Sequence, residues 1–215
     1  MLAYKFLDEH FGLKSLREKR LKISTLADLN DPFELLPYEM RDRNRRIALR
    51  ATRDEFARSD GILCFSADWK DPVIWSHYSD KHRGLCLGFE IPDEKCQRVR
   101  YVAERLSLLH PPTLADANAL VFTKYINWQY EQEIRVYAAL NESEDGLYFA
   151  PFGAELRLVK VTAGARCSLS ERALVEALGS SAIKIMLVKA RAGFTRFEIV
   201  KDKLGFPRQA AATAL

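Results

Sequence analysis

The alternation of apolar and polar positions changes period several times along the chain, and each change marks an element. Residues 2–6 read as a short strand, and 12–20 as a helix with a narrow apolar stripe, because Leu13, Leu16 and Arg20 recur at three and four. Leu21-Lys22-Ile23-Ser24 alternates as a half-buried strand does. Asn30-Asp31-Pro32-Phe33-Glu34 follows as an ordered corner: Pro32 turns Asp31 away from helical geometry, and Asn and Asp side chains bond to turn backbone. Residues 37–58 form a long helix on this pattern, with Met40, Ile47 and Ala51 as its packing stripe. An interior strand is expected over 61–66, then a short helix over 73–79 opened by Asp71-Pro72.

Residues 84–90 make a further strand. Leu85, Leu87 and Phe89 fill one face, while Gly84, Cys86 and Gly88 leave the other slim enough for a ligand, a backbone or a packed helix. A strand at 97–101 precedes Pro111-Pro112-Thr113, which breaks the chain and caps a helix running to about 127. The period returns to two over 130–137, and 156–161, 183–188 and 197–200 are also strand-like. Ser170 caps a helix through 178, with Glu171 in its first turn, and the final RQAAATAL reads as a frayed tail, 208–215. There is no regular strand–helix–strand rhythm, no repeat and no long linker. The expectation is one α+β domain over 1–207, with a mixed, largely antiparallel sheet and several packed helices.

Composition narrows the function classes. With 48% hydrophobic and 29% charged residues over 215 positions, the chain can bury a sizeable core. No apolar run approaches the roughly 18 residues of a membrane span, and the start MLAYKFLDEH does not resemble a secretory signal, so a cytoplasmic protein without a membrane partner is expected. Cys64, Cys86, Cys96 and Cys167 are scattered and read as buried thiols, and neither they nor the four histidines form a metal motif. The net charge of +4 is matched by one stretch, 41–58, where seven arginines face three acids. Arg43, Arg46, Arg50 and Arg53 share a helix face there: a solvated basic face, or a surface for phosphate or nucleic acid without the aromatic interleaving of a stacking platform. Neither a Gly-rich dinucleotide fingerprint nor a P-loop is present.

Two clusters carry candidate chemistry. On a strand through 130–137, Glu131, Glu133 and Arg135 fall on one side. That face can be solvent-facing charge, a structural ion pair, or the floor of a cleft in which a glutamate holds a substrate hydroxyl or steadies developing positive charge while Arg135 orients it. The second cluster is Trp75-Ser76-His77-Tyr78. Adjacent Ser76 and His77 do not face each other on a helix, which argues against a hydrolase triad. His77 fits either a ligand contact or a core network, and Trp75 with Tyr78 can line a core or a planar-ligand pocket.

Taken together, several stretches resemble the DUF2971 family of uncharacterised bacterial proteins: Tyr4-Lys5-Phe6; Leu21-Lys22-Ile23-Ser24 leading into Asn30-Asp31-Pro32-Phe33-Glu34; Cys64-Phe65-Ser66; Trp75-Ser76-His77-Tyr78 through His82-Arg83-Gly84-Leu85-Cys86-Leu87-Gly88-Phe89; and Lys124 with Trp128, Glu131, Glu133 and Arg135. The resemblance spans most of 4–137. It implies a setting near phage-defence or toxin-like systems, and the arrangement is distantly similar to ADP-ribosyltransferase-like folds. That similarity implies NAD as a substrate and an unknown small-molecule, protein or nucleic-acid acceptor; the scattered cysteines and histidines imply no metal. Glu133 is the preferred counterpart of the late strand glutamate and Glu131 the second. Lys5 or His77 would contact the NAD phosphates or ribose, and Tyr78 would stack on nicotinamide. The chain departs from that pattern in offering Lys5 at the early His or Arg position and no Ser-Thr-Ser strand. The other reading is a non-catalytic nucleic-acid- or phosphate-ligand-binding module that uses the arginine-rich helix.

Overall fold

The computed structural model describes residues 1–39, 41–107 and 114–207. The packing of Met40, the Pro111-Pro112-Thr113 cap and the 208–215 tail therefore lie outside the described residues. In chain order the elements are β1 (Leu2–Leu7), α1 (Glu9–Glu18), β2 (Arg20–Ile23), α2 (Arg43–Ser59), β3 (Asp60–Ser66), α3 (Pro72–Tyr78) and β4 (Leu85–Glu90). They continue with β5 (Gln97–Arg98), β6 (Arg100–Val102), α4 (Leu114–Phe122), β7 (Thr123–Tyr125), β8 (Glu133–Ala139), β9 (Ser143–Glu144) and β10 (Leu147–Pro151). The last are β11 (Arg157–Ala163), α5 (Glu171–Leu178), β12 (Met186–Ala192) and β13 (Ile199–Lys201). The class is α+β, with mixed pairing: β6–β7 and β11–β12 are parallel, and the other recorded strand pairs are antiparallel. No helix among the described residues is long and apolar enough to cross a membrane.

The contacts group into two compact units, each drawn from separate stretches of chain. Unit one comprises Met1, Leu21–Ala67 and Pro92–Ala150. Its strands β3 and β8 pair along their full length, with Cys64 opposite Arg135 and Ser66 opposite Glu133, and β5 flanks β8. Leu35, Tyr38, Leu49, Ile62, Leu120, Val121 and Phe122 form its core beside this ladder. Helix α2 starts at Arg43 rather than at 37, because Pro37 and Glu39 bond to the backbone of Leu106 and the Asp42 carboxylate then caps the helix by accepting from the Arg45 N–H. Its packing face also differs from the expected one. Leu49 is buried with Phe56 against it, whereas Ile47 and Ala51 are exposed.

Helix α4 ends at Phe122, short of the expected 127, because Thr123-Lys124-Tyr125 pairs in parallel with Arg100-Tyr101-Val102. A 3₁₀ helix then covers Ile126–Glu131, and Gln132 takes a left-handed conformation before β8 begins. The β9–β10 hairpin, with Asp145 and Gly146 both at positive φ, is absent from the sequence-level elements although Asp-Gly is a strong hairpin signal.

Unit two comprises Leu2–Arg20, Asp68–Ile91 and Pro151–Leu215. Its strands run in the order β13-β12-β11-β4-β1. Asp8 caps α1 and Ser170 caps α5, and the two helices pack on each other. At Gly12 a Cβ would lie 2.8 Å from Leu85 Cδ1, so the glycine is what lets α1 approach β4 this closely. The slim face of β4 is covered by its neighbours in the sheet: a Cβ at Gly88 would meet the Tyr4 ring at 3.3 Å and Lys160 Cβ at 3.1 Å. Large side chains on β1 and β11 thus fill the space that the small residues leave.

Candidate functional site

Unit one buries five ionisable side chains against one another. Arg135, the third residue of β8, donates from Nε and Nη2 to the two oxygens of Glu133 at 2.7 and 3.0 Å, a bidentate pair. The same Nη2 reaches Glu34 Oε1 at 2.8 Å, and Nη1 donates to the Val121 carbonyl. Lys124, one residue into the short β7, sends its three N–H groups among three carboxylates: Glu131 Oε2 at 2.7 Å, Glu133 Oε2 at 3.3 Å and Glu34 Oε1 at 3.3 Å. Its ammonium also lies 4.8 Å from the centre of the Trp128 ring. All five residues are at most 6% exposed.

The local chain explains the convergence. The expected 130–137 strand would have put Glu131 and Glu133 two positions apart on one face. Instead Glu131 closes the 3₁₀ turn and the left-handed Gln132 reverses the chain before β8. Both carboxylates nevertheless meet Lys124. Of the three roles open to this face, exposure to solvent is excluded by the burial.

Burial alone would raise the carboxyl pKa of Glu133. The Arg135 guanidinium, the Lys124 ammonium and a bond from the Cys64 thiol outweigh it, and the group is held down at about 2. Burial likewise opposes the charged forms of Lys124 and Arg135, yet the surrounding carboxylates keep both above their ordinary values. Tyr101, whose hydroxyl oxygen accepts the Glu133 backbone N–H at 2.8 Å, is pushed up to about 12, first by burial and then by the nearby carboxylates. The cluster thus gathers three carboxyl side chains and two cationic ones, all buried.

A cavity of about 280 Å³ adjoins this cluster in unit one. Phe33, Leu36, Arg105, Thr123, Lys124 and Tyr125 are among its walls, so Lys124 belongs to both features. Phe33 and Tyr125 are exposed at its mouth, and the Arg105 guanidinium sits 5.2 Å over the Phe33 ring. Glu34 and the cavity walls were not selected from sequence. The only signal was that Phe33 and Glu34 end the Asn-Asp-Pro corner and that Lys124 lies in the same set of resembling motifs. No group of metal-ligating side chains is found among the described residues.

The remaining sequence candidates lie elsewhere. Lys5, Trp75, His77 and Tyr78 all belong to unit two. Trp75 is fully buried there: it meets Phe6 edge-on with ring centres 5.1 Å apart, and its indole N–H donates to the Trp69 carbonyl at 2.6 Å. It therefore serves the core of that unit. His77 is exposed, Tyr78 and Lys5 half-buried, and the His77 and Tyr78 rings are tilted 6.3 Å apart. On α2 the arginine face is divided: Arg43 and Arg50 are exposed, while Arg46 and Arg53 are half-buried along the edge of the packing face. Comparisons of the chain with models of known protein families, with curated proteins and with solved structures find no match.

Proposed function

We propose that unit one carries the site of an NAD-consuming, ADP-ribosyltransferase-like enzyme, acting on a protein, nucleic-acid or small-molecule acceptor. The observation that carries the reading is the buried cluster of three carboxyl groups and two cations that shares Lys124 with a cavity walled in part by Phe33 and Tyr125. A nicotinamide ring attached to ribose is a planar cation, which suits aromatic walls at Phe33 and Tyr125. The cavity is just below the roughly 300–1,000 Å³ of ligand pockets, which fits a ring and its sugar rather than a whole dinucleotide. Arg105, exposed at the mouth, is placed to meet phosphate outside it.

In the reaction so proposed, the bond from ribose to the nicotinamide nitrogen breaks and its electron pair leaves with neutral nicotinamide. The ribose carbon, positive in the transition state, then bonds to an acceptor oxygen or nitrogen, which gives up its proton. Glu133 is too firmly ionised to be a strong base, and its oxygens are engaged by Arg135 and Lys124. Its contribution is electrostatic: fixed charge stabilises a charge that develops only in the transition state. Removing one preorganised electrostatic contact of this kind typically costs roughly 3 kcal/mol, or about 100-fold in rate.

The test is incubation with NAD labelled in the nicotinamide and in the adenylate, with and without acceptors. Nicotinamide release should fall about 100-fold in Glu133→Gln protein that still folds. Absence of both release and acceptor labelling from the wild-type protein, across protein and nucleic-acid acceptors, sinks the proposal.

A further inference from the structure

Unit two holds a cavity of its own, of about 340 Å³, and its walls divide by chemistry. Leu16 and Leu178 on its walls are buried, and Phe152, Leu158 and Ile185 are half-buried, so its depth is apolar. Lys19 and Arg157 also line it, both exposed and both cationic, and none of the side chains lining it is acidic. We infer that this cleft binds a small amphipathic monocarboxylate, with its hydrocarbon part against the leucines and its charge at Lys19 and Arg157. Binding there is independent of the NAD chemistry proposed for unit one.

Two helix ends and a bulged strand make the space. Helix α1 stops where Lys19 takes a left-handed conformation, and the Lys19 carbonyl accepts the Phe152 N–H at 2.7 Å. Helix α5 stops at Gly179, and a 3₁₀ turn over Gly179–Lys184 leads to Ile185. Between Leu158 and Lys160 the pairing of β11 with β4 shifts register, an irregularity of the kind that re-aims side chains at sheet rims. Protein interiors leave few voids larger than a water, and this one falls within the roughly 300–1,000 Å³ of ligand pockets. At about 30 Å³ per water-sized group it takes on the order of ten non-hydrogen atoms, the size of octanoate. Charge selects the head group. Arg157 gives one N–H to Glu90 on β4 and keeps further donors, while Lys19 forms no ion pair among the described residues. Two cations less the charge of Glu90 leave one positive charge, which a monocarboxylate matches and a phosphate monoester, with nearly twice the charge, exceeds.

Octanoate is the probe, titrated by calorimetry into the full chain, with octanol and butyrate as comparators. Octanoate should bind, and butyrate, with half the chain to bury, should bind more than about tenfold less tightly. The double change Lys19→Gln/Arg157→Gln, at exposed residues, should weaken octanoate by about tenfold and leave octanol within about twofold. Ile185→Ser should weaken both. Should that variant not fold, labelled methyl groups of Leu158 and Ile185 in the wild-type protein should shift on octanoate titration, while those of Leu35 in the core of unit one stay in place. No binding of octanoate, butyrate binding as tight, an octanoate affinity indifferent to the double change, or static Leu158 and Ile185 methyls overturns the inference. Equal loss of octanol and octanoate in the double variant also overturns it, since the two cations would then support packing rather than meet a carboxylate.

Discussion

Replacing Arg135 by Met tests the buried cluster most directly. The substitution keeps an unbranched side chain of similar reach and removes every N–H that holds the cluster from its side. Glu133 loses both of its bidentate bonds, Glu34 keeps only Lys124, and the Val121 carbonyl loses its donor. Removing one partner of a buried ion pair typically costs about 3–5 kcal/mol, because the other charge stays buried and uncompensated. The depressed pKa of Glu133, to which Arg135 contributes most among the groups that lower it, points to the same order. Its value of about 2 stands below the ordinary 4.5, and at 1.36 kcal/mol per unit the difference is about 3 kcal/mol of stability. Because the folded value is the lower one, this contribution is complete above about pH 4.5 and is lost as the pH falls toward 2.

Urea unfolding followed by tryptophan fluorescence and circular dichroism measures the loss at pH 7. At roughly 2–4 °C per kcal/mol for a chain of this size, Tm should fall by roughly 6–20 °C. The variant should also lose the steep acid side of the stability profile between pH 4.5 and 2. A loss under about 1 kcal/mol, the size of a surface ion pair, would refute the reasoning, as would a wild-type acid limb in the variant.

Three further outcomes are expected. Gly164→Ala should destabilise by about 1–3 kcal/mol or more, since its Cβ would lie 2.2 Å from the His82 carbonyl oxygen, whereas Gly153→Ala, with open space around it, should stay within about 0.5 kcal/mol in the same urea titration. Cys86, fully buried with its thiol pushed up by burial, should resist a thiol reagent in the native protein and react only on unfolding, as read by mass spectrometry of labelled peptides. The double variant Arg43→Glu/Arg50→Glu, at exposed positions, should leave stability within about 0.5 kcal/mol; salt-sensitive nucleic-acid binding that disappears in it would favour the arginine helix over the cavity as the working surface.

Local pattern by itself determined the class and most of the elements. The alternation in Leu21-Lys22-Ile23-Ser24, the apolar run ending at Ser66 and the caps at Asp71 and Ser170 are decided by residues within a few positions of one another, and the α+β structure contains each of those elements. Where a segment's state depended on a distant strand, local pattern was not enough. Thr123-Lys124-Tyr125 continues a helical pattern until Arg100-Tyr101-Val102 pairs with it, and 37–39 pairs with Leu106 instead of joining α2. Ile47 was as apolar as Leu49, but only the tertiary contacts decide which stripe of α2 packs.

The charged segment divides in the same way. Sequence placed Glu131, Glu133 and Arg135 together, since neighbours along a chain stay neighbours in space. It could not show that they are buried, or that Lys124 and Glu34 complete the charge balance. Glu34 is 101 residues from Arg135, and a contact over that separation is fixed by the fold alone. Burial then turns what would be an ordinary row of surface charge into a tightly paired cluster, because low dielectric strengthens each pairing and penalises each unpaired atom.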